Sequence, residues 1–343
     1  MYICRMKNWL LGKSLEELRE IVSQLSFPSY TASQIALWLY RKKVGEISLM
    51  TSLSLSQREE LSARYIAGGF KPLEKILSKD GTVKYLFPAG CGTPIETVVI
   101  PDEERSTICV SSQAGCKMGC KFCMTARMGF NGNLSAAEII SQFLNIQESD
   151  KITNAVYMGM GEPLDNLEEV LKSMEILTAD WGFGWSPKRV TLSTIGLYPA
   201  TKEFLEKSRC HLAISMHNPF DQERLELMPV QKAWPISQTL ELVKSYDFSG
   251  QRRISFEYIM FDGWNDTKRH ADGIIRALRR LECRVNLIRF HEIPEFPLKT
   301  SPDGKIELFK KRLTDAGIVT TIRASRGEDI YAACGMLSSN KKL

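Results

Sequence analysis

The sequence predicts an α/β fold in which repeated strand–helix units build a parallel sheet, either open and doubly wound or closed into an incomplete barrel. Three observations predict it. From Thr107 onward, short β-branched and apolar runs alternate with amphipathic stretches of helix length. The first 69 residues carry three S/T-x-x-E/Q helix-start signals instead. Between the two, an alternating stretch surrounds Asp80-Gly81, a hairpin turn signal because both central positions accept positive φ. A chain of 343 residues accommodates one large α/β domain with a small companion.

In the opening segment the start signals are Ser14 with Glu17, Thr31 with Gln34, and Ser56 with Glu59. Leu15, Leu18, Val22 and Leu25 form one apolar stripe, and Ile35, Trp38 and Leu39 another. Arg41, Lys42 and Lys43 close the second helix, as a solvated end complementing the helix dipole or as a contact for RNA phosphates. Strands are expected around Lys75–Lys84, Ile95–Ile100 and Thr107–Ser111, with Glu96 alternating toward solvent. Further strands are expected at Ala155–Met158, Val190–Thr194, His211–Met216, Ile254–Met260, Arg284–Phe290 and Val319–Ala324. Helices separate them around 134–147, 167–178, 199–207, 236–246, 268–281 and 305–316. The division that follows is a helical domain over 1–69, a β-hairpin connector over 70–103, the main α/β core over 104–330 and a tail over 331–343.

Bulk properties narrow the setting. Hydrophobic content of 43% and charged content of 25% are ordinary for a globular protein, and a net charge of +5 identifies no partner class. Met1 to Leu11 contains Arg5 and Lys7 and no long apolar run, so neither a secretion signal nor a membrane span is expected. Nine cysteines, an odd number in a long chain, argue for a reducing cytoplasm and for thiols that bind metal or react.

The most specific motif is Cys116-x-x-x-Cys120-x-x-Cys123 with Phe122 before the last thiol. Three thiolates suit an iron–sulfur cube with one open iron, and zinc or buried core cysteines are the alternatives. In a parallel barrel, functional residues gather where strands end. There the chain places Gly159-Met160-Gly161-Glu162-Pro163, Ser193-Thr194, Ser215-Met216-His217 and His291. The glycines form no dinucleotide fingerprint, while a carboxylate fixed at a barrel mouth suits an ammonium group. Cys109 lies on the strand leading to the trio, and Cys334 sits in Ala332-Ala333-Cys334-Gly335, small residues that let a thiol approach a substrate. Cys4, Cys91, Cys210 and Cys283 are read as structural or incidental.

With these motifs in view, the chain resembles the RlmN family of radical S-adenosylmethionine RNA methyltransferases, which methylate C2 of adenine. The resemblance rests on Cys109-Val110-Ser111-Ser112-Gln113-Ala114-Gly115-Cys116, Gly159 to Asn166, and Arg326-Gly327-Glu328-Asp329-Ile330-Tyr331-Ala332-Ala333-Cys334-Gly335, with Gln34 to Tyr40 like the accessory domain. It implies a partial (βα)6 TIM-like barrel, the radical SAM core, behind the helical domain and connector. It implies that Cys116, Cys120 and Cys123 hold a [4Fe–4S] cluster, and that Gly161, Glu162, Ser193, Ser215, Met216 and His217 bind S-adenosylmethionine, Glu162 through the ammonium. His291 stands where many members carry Asn.

By the same resemblance Cys334 takes a methyl group from one S-adenosylmethionine, and a deoxyadenosyl radical from a second activates it for addition to C2. Glu96 then acts as base and Cys109 attacks the bridging sulfur, leaving a Cys109–Cys334 disulfide to be reduced. Implied partners are 23S ribosomal RNA, transfer RNA and a one-electron reductant such as flavodoxin, with the chain a cytoplasmic monomer away from membranes. Candidate phosphate contacts are Arg41, Lys42, Lys43, Lys117, Lys121 and Arg127, ahead of Arg279, Arg280 and Arg284. The alternatives are the related methylase acting on C8 of the same ribosomal adenine, a glycyl-radical activase, and a zinc-bearing RNA-binding module.

Overall fold

The computed structural model describes residues 8–248, 250 and 252–338. Cys4, Arg5 and Lys7 lie outside them. The opening module contains α1 (Leu15–Gln24), α2 (Thr31–Ala36), which runs on into a π turn over Leu37–Arg41, and α3 (Leu55–Arg64). Ser14 caps α1: its hydroxyl accepts from Glu17 N at 3.2 Å while the Glu17 carboxylate accepts from Ser14 N at 2.7 Å. The other two expected caps are corrected. Thr31 lies inside α2, fully buried, and Tyr30 occupies the cap position without a side-chain bond. At α3 the reciprocal pair is Ser54 with Gln57, because Ser54-x-x-Gln57 and Ser56-x-x-Glu59 overlap and the helix begins at the first.

The core is built on a ten-stranded sheet whose spatial order follows the sequence. Its strands are β1 (Glu74–Leu77), β2 (Val83–Phe87), β3 (Ile95–Pro101), β4 (Ser106–Cys109), β5 (Asn154–Tyr157), β6 (Val190–Thr194), β7 (His211–Ser215), β8 (Ile254–Met260), β9 (Arg284–Arg289) and β10 (Val319–Ile322). Pairing is antiparallel from β1 to β4 and parallel from β4 to β10. The connector is therefore no detached hairpin; β1, β2 and β3 extend the core sheet. Crossover helices α4 (Met124–Arg127), α5 (Ala136–Leu144), α6 (Leu167–Thr178), α7 (Tyr198–Lys207), α8 (Asp221–Leu227), α9 (Ile236–Lys244), α10 (Lys268–Ala277) and α11 (Asp303–Asp315) complete six βα units before β10 closes the series.

Alternation fixes what faces inward. On β6, Val190, Leu192 and Thr194 are buried against the helices, while Thr191 and Ser193 belong to the partly open face. One cavity is lined by Thr107 of β4, Asn154 of β5, Thr191 of β6, His211 of β7, Ser255 of β8, Asn286 of β9 and Val319 of β10. A flat sheet keeps β4 and β10 far apart, so their shared cavity means that the sheet curls into a partial barrel. No helix among the described residues is long and apolar enough to cross a membrane.

The opening module is seated on this barrel. Gly12 has φ +81°, and a Cβ there would stand 2.3 Å from Ala137 N at the start of α5. The Arg41–Lys43 cluster, expected as a solvated end or RNA contact, is spent largely on packing: Arg41 donates to Asp180 O at 2.8 Å, Lys43 pairs with Asp150 at 2.6 Å, and Lys42 lies over the Trp38 ring. Gly12→Ala should lower the unfolding free energy by about 2 kcal/mol or more, since positive φ and backbone overlap act together. Denaturant unfolding checks this, and an unchanged midpoint would refute the seating.

Candidate active site

The cysteine loop leaves the barrel between β4 and α4. Cys116 N donates to Gly129 O at 3.0 Å, where Gln113–Gly115 pairs with Phe130–Asn133, and Cys123 is the cap residue of α4. Phe122 is buried edge-on to the His217 ring, with centroids 5.2 Å apart, which pins the loop between Cys120 and Cys123 to the end of β7. Burial pushes the Cys116 thiol up to about 12, reinforced by Glu162 and Cys123; Cys120 is pushed well up by burial and then by Cys123 and Cys116, and Cys123 is also raised by burial. Convergent buried thiols that repel one another's ionisation fit a cationic metal centre. Three thiolates suit an iron–sulfur cube with one open iron, whereas a structural zinc site takes four protein ligands.

The Gly159–Pro163 loop packs against the residues after β4. Gly159 cannot carry a side chain, because a Cβ would lie 2.7 Å from Val110 O, and Gly161 has φ +96° with a Cβ only 2.5 Å from that of Gln113. Gln113 Oε1 accepts from Glu162 N at 2.9 Å, and Gln113 Nε2 donates to Asp165. The Glu162 carboxylate is buried and accepts from Leu164 N at 3.1 Å and Ile195 N at 2.9 Å. Burial raises it to about 7 despite those donors. Its oxygens thus tie the ends of β5 and β6 together, a positioning task the sequence reading did not assign to it.

Ser193 and Ser215 share inward parity near the ends of β6 and β7. Met216 is fully buried in the core. His217, at φ +55°, accepts from Ile259 N through Nδ1 at 3.1 Å, and burial lowers its pKa to about 3 with Arg224 assisting. Arg224 went unnoticed in the sequence. It is fully buried and donates to Met216 O at 3.0 Å, to Ile195 O at 2.8 Å and to Ser215 O at 3.0 Å, stitching the two strand exits together. Its place on α8, among charged neighbours, gave it the look of a surface residue.

A second cavity, of about 290 Å³, brings together Cys109, Cys123, His291, Arg323 and Cys334. Cys109 and Cys334 are free thiols, the first half-buried and the second exposed. Burial, with Cys334 next, pushes Cys109 up to about 12, while Arg323 opposes the rise. Arg323 bonds Glu257 at 3.4 Å behind the thiols and was also missed; it follows β10, and the parity of that strand carried one residue on places it with the inward set. His291 lines this cavity, 3.3 Å from Ser325 Oγ and 3.7 Å from Glu328.

The tail is clamped from two sides. Gly335 O accepts from Met124 N at 2.8 Å and Leu337 O accepts from Thr125 Oγ1 at 2.7 Å, joining it to the cysteine loop. Asp80 accepts from Gly327 N at 2.9 Å and Asp329 from Lys79 N at 3.1 Å, joining it to the β1–β2 turn. Glu96 departs from expectation. It is only 6% exposed, because both faces of β3 are covered, and it pairs with Lys84 at 3.0 Å while accepting from Ser338 N at 3.0 Å. It does not line the thiol cavity. Of the other phosphate candidates, Lys117 pairs with Asp165 at 2.9 Å, Arg127 donates to Pro294 O, and Arg284 opens β9 rather than ending a helix.

Comparison with known proteins gives concordant results. The Radical SAM superfamily model matches residues 110–272, and the model of the ribosomal RNA large subunit methyltransferase N-terminal domain matches residues 8–66. A relative from Syntrophus aciditrophicus, named dual-specificity RNA methyltransferase RlmN, is 41% identical over 95% of this chain and 94% of its own length. Relatives carrying that name provisionally include one from Bacteroides thetaiotaomicron, 55% identical over 97% of this chain and 96% of its own, and one from Porphyromonas gingivalis strain W83, 54% identical over 97% of each. A crystal structure of a radical SAM methyltransferase from Sphaerobacter thermophilus superimposes with a TM-score of 0.90 at 36% identity, covering 97% of this chain and all of that one.

The neutral His217 ring makes stability depend on pH. Its folded pKa lies below the unfolded value near 6.5, so its contribution is complete above that value and is lost as pH falls toward about 3. The unfolding free energy relative to a His217→Asn variant should fall by about 1.4 kcal/mol per pH unit once well below 6.5. A difference independent of pH between 7 and 5 would contradict the buried neutral ring.

Proposed function

The chain belongs to the RlmN family of radical SAM dual-specificity RNA methyltransferases, and we propose that it methylates C2 of an adenosine in 23S ribosomal RNA and in transfer RNA. Membership of the radical SAM superfamily brings with it a [4Fe–4S] cluster and S-adenosylmethionine. The observation that carries the proposal is the 290 Å³ cavity in which Cys109 and Cys334, remote in sequence, face one another's surroundings beside Cys123.

The ligands of the cluster in this reading are Cys116, Cys120 and Cys123. Gly161, Ser193, Ser215, His217 and the Met216 backbone frame S-adenosylmethionine, Glu162 holds the frame together, and His291 closes the rim. When bound, the cluster and two S-adenosylmethionines per turnover supply the methyl group and the one-electron chemistry that activates it. Cys334 carries that methyl as a thioether; its exposure leaves the sulfur open to an incoming base. Once its carbon has joined C2, the adenine is tethered to the chain through Cys334. Cys109 breaks the tether by attacking the bridging sulfur: the C–S bond breaks, its electron pair stays with the released carbon, which takes up a proton to become the methyl group, and the new S–S bond is left for reduction. Because its thiol lies near 12, it must lose its proton within the cavity, and the neighbouring Arg323 guanidinium favours the thiolate.

Glu96 is the proposed base that takes the C2 proton from the adduct, whose odd electron the cluster, when bound, would take back. Both of its oxygens are engaged, so this use requires the Ser338 contact to open when RNA binds. Lys121, exposed and without a side-chain partner among the described residues, is the phosphate contact kept from the sequence reading. A base in folded RNA must leave its stack to reach such a cavity. A flavodoxin-type electron donor, a monomeric chain and a cytoplasmic setting complete the reading.

Anaerobic turnover with methyl-deuterated S-adenosylmethionine and RNA tests it. The expected product is 2-methyladenine carrying two deuterons and one hydrogen of other origin, because the carbon passes through a methylene on Cys334. Transfer of an intact trideuterated methyl, or 8-methyladenine as the main product, would refute it.

A further inference from the structure

The larger cavity, about 620 Å³, opens at the N-terminal ends of the parallel strands, opposite the cysteine loop, and the methyl chemistry makes no use of it. Seven cationic residues line it, six of them at its mouth, Arg105, Lys188, Arg189, Arg252, Arg253 and Arg284, and Arg323 further in. Each of the six stands just before, or at the first residue of, an inner strand; Arg105, Arg189, Arg253 and Arg284 share the inward parity of the lining, whereas the Arg252 guanidinium turns to α7. Arg323, at the inner end, is cancelled by Glu257. Glu282 is the other carboxylate in the lining, which leaves an excess of five positive charges, equal to the net charge of the entire chain.

None of the six is ion-paired to a carboxylate among the described residues, whereas lysines elsewhere, on α7 and α11 for example, are paired within their own helices. Arg252 turns its guanidinium to α7, where Nη1 donates to Leu205 O at 2.8 Å and the group lies over the Phe204 ring, so it adds charge at the rim and no donor inside. His211, in the same lining, is held neutral by burial and then by Arg253, Lys188, Arg284 and Arg252, with a pKa of about 4. Positive potential therefore gathers here from several strands, with Glu282, the one unpaired carboxylate among the described lining residues, set against it.

We propose that this bowl is a binding site for a compact, multiply charged phosphate anion of the pyrophosphate or triphosphate class. Convergence decides the class. A phosphodiester backbone is tracked by cations spaced along a groove, whereas these arise at the ends of β4, β6, β8 and β9 and face a common centre. Guanidinium forks take phosphate oxygens bidentately, and Thr107, Asn154, Thr191, Ser255 and Asn286 supply neutral polar groups deeper in the bowl. The volume lies within the range of small-molecule sites.

The test is isothermal titration calorimetry of inorganic tripolyphosphate into the full chain with its cluster reconstituted, at constant ionic strength because screening otherwise masks the effect. The expected result is saturable binding of one anion per chain, weakened at least tenfold in Lys188→Gln/Arg253→Gln and unchanged in Lys310→Gln/Lys311→Gln, which removes equal charge from α11. Circular dichroism melting of each variant verifies that it remains folded. Absence of saturable binding, or equal weakening in both pairs, would overturn the site. So would a single-stranded RNA oligonucleotide that binds through Lys188 and Arg253 and is not displaced by tripolyphosphate, because the bowl would then be an RNA contact.

Discussion

The docking of the tail onto the cysteine loop is the contact on which the site depends. Two backbone carbonyls, of Gly335 and Leu337, accept from Met124 N and Thr125 Oγ1 and so hold Cys334 beside Cys123. Neither bond is strong alone; a net contribution of about 1 kcal/mol each is typical. The tail stays in place because the other side is fixed too: Asp80 of the β1–β2 turn accepts from Gly327 N, Asp329 accepts from Ser78 Oγ and Lys79 N of that turn, and Glu96 of the buried Lys84–Glu96 pair accepts from Ser338 N. Removing one member of that pair would leave a charge stranded in the interior. The antiparallel strands β1 to β3 thereby acquire a purpose beyond widening the sheet, since they bring the clamp to the thiols.

Curling of the parallel strands is the second constraint. Inward parity on β4, β5, β8 and β9 puts Cys109, Val156, Glu257 and Ile288 on the interior face, and Arg323 follows β10. The Arg323–Glu257 pair divides the interior into a thiol chamber and a basic bowl, and both chambers share Thr107, Val156 and Met158. At the opposite end Arg224 and the Glu162 carboxylate consume carbonyls and N–H groups at the strand exits. Those buried groups would otherwise each lack a partner, at a cost of about 1–3 kcal/mol. Fixing the exits fixes Ser193, Ser215 and His217.

Much of this was legible in the order of residues. The βα alternation gave the barrel, the Cys spacing singled out the loop proposed to hold the cluster, and position at strand ends singled out Gly161, Glu162, Ser193, Ser215 and His217, which the structure places at the ends of β5, β6 and β7. Local pattern failed where a second layer intervened. Glu96 alternates like a solvent-facing residue, yet the tail covers its face. Thr31 and Ser56 match a cap pattern that carries no information on where the helix begins. Arg224 and Arg323 owe their roles to neighbours distant in sequence, and only strand parity offered a signal for Arg323. The basic bowl was invisible because its members come one or two at a time, before β4, β6, β8 and β9.

The account centres on Cys109 and Cys334 working as a pair in product release, and a Cys109→Ala variant tests that most directly. After anaerobic turnover with RNA, mass spectrometry of the digested protein should find adenosine joined through one carbon to the peptide containing Cys334, with little free methylated RNA. Release of methylated RNA at the wild-type rate, with Cys334 unmodified, would contradict the pairing of the two thiols.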